Sequence, residues 1–149
     1  LKETTVNKPQ FVYVIYINAA RERIWEGLTR PEMTAKYWMH ENLSDWKQGS
    51  SWKHVKADSS KKVDLVGTVA ESDYPTRLTL TWAKPEEEGN RDKTSRVTFE
   101  LEAQDWPGGP WTRVRVLHTD LADKEMLDSI SFGWPAVMSG LKTYLEVGW

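Results

Sequence analysis

From residue 41 to residue 119 the chain contains no window with the length and period of an ordinary helix. It shows instead one short apolar–polar alternation after another, each closed by turn residues. This rhythm limits the fold more than any other feature. Alternating side chains point to opposite faces of a strand, and strands joined by short turns pair antiparallel with their neighbours. Strands are expected over 41–44, 51–57, 63–72, 77–83, 95–104 and 111–119. The breaks between them are Gln48-Gly49-Ser50, Ser59-Ser60-Lys61, Tyr74-Pro75, the charged run 85–93 and Trp106-Pro107-Gly108-Gly109-Pro110. Shared faces follow from the alternation: Val63, Leu65, Gly67 and Val69; Leu78, Leu80 and Trp82; Val97, Phe99 and Leu101. On the last strand Val114, Val116 and His118 face inward and Arg113 and Arg115 outward.

The flanks read differently. Residues 11–17 alternate, with Phe11, Tyr13, Ile15 and Ile17 on one face of a strand. Asn18 is placed as the N-cap of a helix over 19–28 that carries Ile24, Trp25 and Leu28 at helical spacing. Thr29-Arg30-Pro31 ends it. A second short helix is expected from Pro31 to about Trp38, with Met33, Tyr37 and Trp38 on its apolar side. At the far end Trp134, Val137, Met138, Leu141, Tyr144 and Leu145 form an apolar stripe at 3–4 spacing. Proline is tolerated in a helix only in the first turn, so Pro135 puts the expected start near Phe132 or Gly133, after a loop over 120–129.

The order β-α-α, six strands, α has one economical packing. It is an α+β fold: a curved antiparallel sheet of six to seven strands around a long carboxy-terminal helix, with two short helices after the first strand. Residues 1–149 suit one domain, since two halves would each bury too little surface. A helix does not fill a strongly curved sheet completely, so a pocket is expected between helix, sheet and the short helices.

Composition excludes several functions. Net charge is −2, and the largest basic cluster, residues 53–62, is interrupted by Asp58; without a basic stripe no nucleic-acid partner is expected. The absence of cysteine excludes disulfides and thiolate metal sites. Residues 1–10 are polar and lack the apolar core of a signal peptide, and no stretch reaches the ~20 apolar residues of a membrane span. No membrane association and a cytoplasmic location are therefore expected. His40, His54 and His118 show no ligand-like spacing, so neither a metal nor a cofactor is expected. No Gly-x-Ser-x-Gly occurs, and no serine stands beside a histidine in a way the sequence reveals; no catalytic residue is assigned. Glu86-Glu87-Glu88 reads as a solvated loop.

Nine tryptophans are unusual for 149 residues. Such a surplus suits an aromatic ligand cavity and an ordinary core equally well. By alternation Tyr13, Trp52, His54, Trp82, Phe99 and His118 face the concavity, Trp134, Met138 and Leu141 approach from the long helix, and Trp38 from the short one. These ten residues are the expected ligand-binding set. His54 and His118 are either ligand-orienting or acid–base groups, or buried imidazoles satisfied by neighbours. The weak strand over 41–44 is an expected sheet edge that would permit a homodimer as well as a monomer.

Four segments carry a resemblance: Ile17-Asn18-Ala19-Ala20-Arg21-Glu22-Arg23-Ile24-Trp25-Glu26-Gly27-Leu28-Thr29; Trp46-Lys47-Gln48-Gly49-Ser50-Ser51-Trp52; Tyr74-Pro75-Thr76-Arg77-Leu78 to Trp82; and Gly133-Trp134 to Leu145. Together they resemble the bacterial proteins related to the carboxy-terminal domain of the activator of the heat-shock protein 90 ATPase. That family lies in the START-like superfamily of helix-grip domains, which also holds polyketide cyclases. The resemblance spans essentially the whole chain and implies the same curved sheet around a terminal helix. The superfamily includes lipid carriers, cyclases, chaperone partners and small-ligand sensors. Three readings follow. The first is a binding module for a small hydrophobic or aromatic molecule; the second is a stress-related module that binds a chaperone or other protein. The third is a cyclase- or hydrolase-like enzyme using His54 and His118.

Overall fold

The computed structural model describes residues 8–148, so most of the polar amino-terminal segment lies outside the described residues. The elements are β1 (Phe11–Ile17), α1 (Arg21–Thr29), α2 (Pro31–Trp38), β2 (His40–Leu43), β3 (Ser51–Lys56), β4 (Val63–Asp73), β5 (Arg77–Trp82), β6 (Ser95–Gln104), β7 (Trp111–Thr119) and α3 (Lys124–Val147). Two 3-10 turns, Pro85–Glu87 and Arg91–Lys93, shape the charged loop after β5.

All seven strands form one antiparallel sheet in the order β1-β7-β6-β5-β4-β3-β2. From β2 to β7 each strand pairs with its neighbour in sequence, as short turns demand. β1 joins from the opposite end of the chain, with Phe11 opposite His118 and Ile17 opposite Thr112. Register shifts at His54/Val55 and Val69/Glu71 interrupt the ladders. Such bulges increase local twist and help the sheet curl. β1 and β2 are its edges. The outer face carries a cross-strand ion network: Glu100 accepts from Arg115 (2.6 Å) and Arg77 (2.5 Å), and Arg77 reaches Glu71 (3.3 Å).

The inner face packs against α3, whose fully buried residues Trp134, Met138 and Leu141 stand one turn apart. Gly67 of β4 marks a close approach behind this face. The Trp52 indole passes it to donate to the Thr81 carbonyl at 2.7 Å. A Cβ at position 67 would lie 1.9 Å from that oxygen and 2.5 Å from the indole nitrogen.

Three expected boundaries are corrected. α3 begins at Lys124 rather than near Phe132, because the Asp123 side chain caps it, accepting from the Met126 N–H at 2.9 Å. Pro135 is therefore interior. It offers no N–H to the Ser131 carbonyl, while the Ser131 hydroxyl bonds Leu127 O at 2.6 Å. None of residues 124–133 is buried. α1 starts at Arg21 after Ala20, and Asn18 is not its cap; the Asn18 backbone N–H instead donates to the Glu146 carboxylate at 2.7 Å. β2 runs one residue earlier than expected, taking in His40 and releasing Ser44.

Candidate functional site

Alternation on β3 turns Trp52 and His54 inward; Trp82 closes β5, His118 lies near the end of β7, and Trp38 ends α2. These rings meet around Trp82. Its ring centroid lies 5.3 Å from His118, 5.5 Å from Trp134, 5.6 Å from Trp52, 6.1 Å from His54 and 6.5 Å from Trp38. Trp38 approaches His54 (4.8 Å) and Trp134 (5.6 Å), and Phe99 packs edge-on against Trp134 (5.6 Å). Seven of the ten expected residues thus form one network of ring contacts. The other three stand apart from it. Met138 and Leu141 are core residues, with Leu141 set against Gly27 of α1, and half-buried Tyr13 stacks on Phe11. His54 and His118 each touch the Trp82 ring, one from β3 and the other from β7.

The two histidines differ in what their nitrogens do. The Trp134 indole N–H donates to His118 Nδ1 at 3.0 Å, so the proton of a neutral His118 sits on Nε2. That Nε2–H meets Ser95 Oγ at 2.7 Å, and the hydroxyl can pass its own proton to Trp82 O at 3.3 Å. Every polar atom of this chain is used, and the tautomer is the wrong one for taking a proton from Ser95. Burial pushes the His118 imidazole down to about 3. Ser95 was not visible as a partner in the sequence. Cross-strand register places it opposite Trp82 and diagonal to His118, whose direct partner is Val97.

His54 keeps one nitrogen open. Asn42 Nδ2 donates to Leu28 O at 3.1 Å, which turns Asn42 Oδ1 towards His54 Nδ1 at 2.5 Å. Nδ1 therefore carries the proton and Nε2 a lone pair. Nε2 makes no hydrogen bond among the described residues, and neither does the indole N–H of Trp82. No side-chain nitrogen or oxygen among the described residues is both sealed from solvent and unpartnered. These two atoms consequently open onto space that water reaches, although His54 and Trp82 are only 3% and 8% exposed. His40, absent from the expected set, stacks on His54 at 4.0 Å and 9°. Its nitrogens face Trp38 O and Asp64 Oδ2, both at 2.8 Å. Burial, then the nearby His40, push His54 down to about 3, with Asp64 opposing. The His40 hydrogen bond in turn holds the Asp64 carboxyl below the usual carboxylate range.

Open clefts lie elsewhere among the described residues. One of about 590 Å³ lies on the outer face under the charged loop, against Val66, Thr81 and Arg96; two more measure about 260 and 490 Å³. None of the ten expected residues lines them. Among the described residues no three His, Asp or Glu side chains are grouped to hold a metal ion, and no helix is long and apolar enough to cross a membrane.

A curled antiparallel sheet gripping a long terminal helix defines a START-like helix-grip domain. Within that class, residues 18–146 match the family described as activator of Hsp90 ATPase homolog 1-like protein, and the chain belongs to it. No curated protein matches at a significant level. Among solved structures, the chain is similar to the Aha1 dimer from Colwellia psychrerythraea, with TM-score 0.76 and 19% identity over 94% of this chain and 98% of that one. PFC0360w, an HSP90 activator from Plasmodium falciparum, gives 0.72 and 16% over 91% and 95%. CalU16 from Micromonospora echinospora gives 0.72 and 19% over 93% and 74%. Likeness at such identities is a likeness of fold.

Proposed function

We propose that this domain binds a small hydrophobic or aromatic molecule between the concave sheet and α3, on the ring network around Trp82. The observation that carries the reading is the pair of unpartnered polar atoms, His54 Nε2 and the Trp82 N–H, within an otherwise apolar wall. Both atoms belong to residues that are almost wholly buried, yet each stays free to bond a group entering from the solvent side. Apolar walls with a few open polar atoms are the chemistry of ligand sites. The test compares native and denatured masses of the purified protein, followed by titration with small aromatic molecules monitored by amide chemical shifts. A bound mass lost on denaturation, or shifts at Trp38, His54 and Trp82, is the expected result. Equal masses together with no shift from any probe would sink the reading.

Family membership favours a second reading, a protein partner of the heat-shock 90 class. Co-purification and calorimetry with such a chaperone test it, and the dimeric relative makes sedimentation at several concentrations the natural companion. The acid–base reading is weakened at His118, whose two ring nitrogens are both bonded. General acid–base catalysis works best with a group that titrates near the operating pH, and burial pushes both imidazoles down to about 3.

A further inference from the structure

We infer that the molecule held by this network is uncharged and presents a hydroxyl group, on a flat aromatic body, to Nε2 of His54. The inference rests on the binding reading above and adds the chemistry of recognition.

The relay Leu28 O, Asn42, His54 fixes which nitrogen bears the proton, so Nε2 offers a lone pair and nothing else. A ligand must bring the proton. Asn42 is itself 2% exposed, and its backbone N–H donates to Thr34 Oγ1 at 3.1 Å, so the relay is anchored at both ends. The Trp82 ring, 6.1 Å from the His54 ring between centroids, carries an indole N–H that also lacks a partner among the described residues. A hydroxyl group brings the proton for Nε2 and keeps lone pairs free to accept; an ether brings none. Flatness follows from the walls. His40 covers one face of the His54 ring, and the remaining approach is bordered by the rings of Trp38, Trp52 and Trp82 at 4.8–6.1 Å.

Charge is disfavoured in both senses. A carboxylate would set its oxygens against the Nε2 lone pair in a site sparing of solvent, with no proton to share. An ammonium group would gain from the tryptophan faces. It would also enter beside His40, the neighbour that already discourages a proton on His54. The other charged groups here are Asp64, engaged with His40, and two lysines near Asp64, Lys56 opposite His40 on the neighbouring strand and Lys62 at 4.0 Å. His118, on the far side of Trp82, is neutral with both nitrogens bonded.

The experiment is calorimetric titration of the purified protein at pH 7 with four probes of one shape: 2-naphthol, 2-methoxynaphthalene, 2-naphthoate and 2-naphthylmethylammonium. One hydrogen bond to an otherwise orphaned acceptor corresponds to roughly tenfold in affinity. The naphthol is expected to bind about tenfold more tightly than the ether and than either ion. His54→Phe is expected to bring naphthol down to the affinity of the ether while leaving the ether unchanged. An ether or an ion that binds wild-type protein as tightly as the naphthol overturns the inference and leaves the binding reading standing. If none of the four binds, the binding reading fails and this inference fails with it. The wild-type comparison needs no variant to fold.

Discussion

Replacing Gly67 by alanine adds one methyl group at the worst place in the sheet. The new Cβ would stand 1.9 Å from the Thr81 carbonyl oxygen, a backbone atom, and 2.5 Å from the Trp52 indole nitrogen that bonds it. Rotation of a side chain cannot relieve the first contact. Either β5 moves away from β4 or the indole, 1% exposed, leaves its place. Overpacking of this kind costs about 1–3 kcal/mol. Breaking the 2.7 Å indole bond and stranding its two ends adds a further ~1–3 kcal/mol, so the sum is about 2–6 kcal/mol. With a urea m-value near 2 kcal/mol/M, the unfolding midpoint should fall by roughly 2 M. Near-ultraviolet circular dichroism should change as the rings around Trp82 shift. Gly27→Ala is the internal comparison. There the obstacle is the Leu141 Cδ1 methyl at 2.7 Å, the mobile end of a side chain, and alanine regains about 1 kcal/mol of helix propensity in α1. Its midpoint should stay within about 0.5 M of wild type. Equal effects at the two glycines, or a Gly67→Ala loss below ~1 kcal/mol, would refute the reasoning.

Acid should weaken the fold well before the carboxylates titrate. His54 and His118 are held at about 3 in the folded chain and near 6.5 when unfolded, so the unfolded state binds more protons between those limits. Their contribution is fully present above about pH 6.5 and is lost as pH falls towards 3, at about 1.4 kcal/mol per pH unit for each histidine. Between pH 7 and 5 this amounts to roughly 3–4 kcal/mol, visible as a lower urea midpoint; a flat profile across that window would contradict the burial argument. Pro135→Ala should stabilise by about 1–2 kcal/mol. Alanine restores the donor to Ser131 O, a gain of up to ~3 kcal/mol, against a loss of ~1 kcal/mol through the freer unfolded chain. The melting temperature should rise by about 2–8 °C, and a fall would show that the helix depends on its proline.

Alternation made most of the sheet legible. β1, β6 and β7 begin and end where the sequence places them, because in each a strict period of two runs between unmistakable turn residues. The start of α3 was illegible for a specific reason. Pro135 signals a first turn, and the signal is overridden by the Asp123 cap and by the packing of Trp134, Met138 and Leu141 further along. Asn18 is a good cap by residue type, but the helix starts two residues later, after Ala20, and Asn18 is tied by its backbone N–H to Glu146 from the other end of the chain, a contact no local rule contains. At the site, inward facing was readable strand by strand, which is why seven expected rings meet. Partnership across strands was not readable. His40, Asn42 and Ser95 enter only through register and through a short strand whose alternation is too brief to orient. The tautomers of His54 and His118 depend on these very partners.

The pairing of β1 with β7 has a consequence for how the molecule is made. Every other ladder joins neighbours in sequence and can close as soon as its second strand has been synthesised. β1 waits for a partner about a hundred residues downstream. At ordinary translation speeds that is a delay of about 5–20 s. Through that interval an uncharged segment, Phe-Val-Tyr-Val-Ile-Tyr-Ile, has no strand of its own sheet to lie against. Such a run has the composition of an aggregation-prone segment. For a nascent chain of this topology the hazardous period is set by the ribosome rather than by the intrinsic folding rate. Synonymous codon changes that slow synthesis between residues 18 and 111 would lengthen it without altering a single side chain.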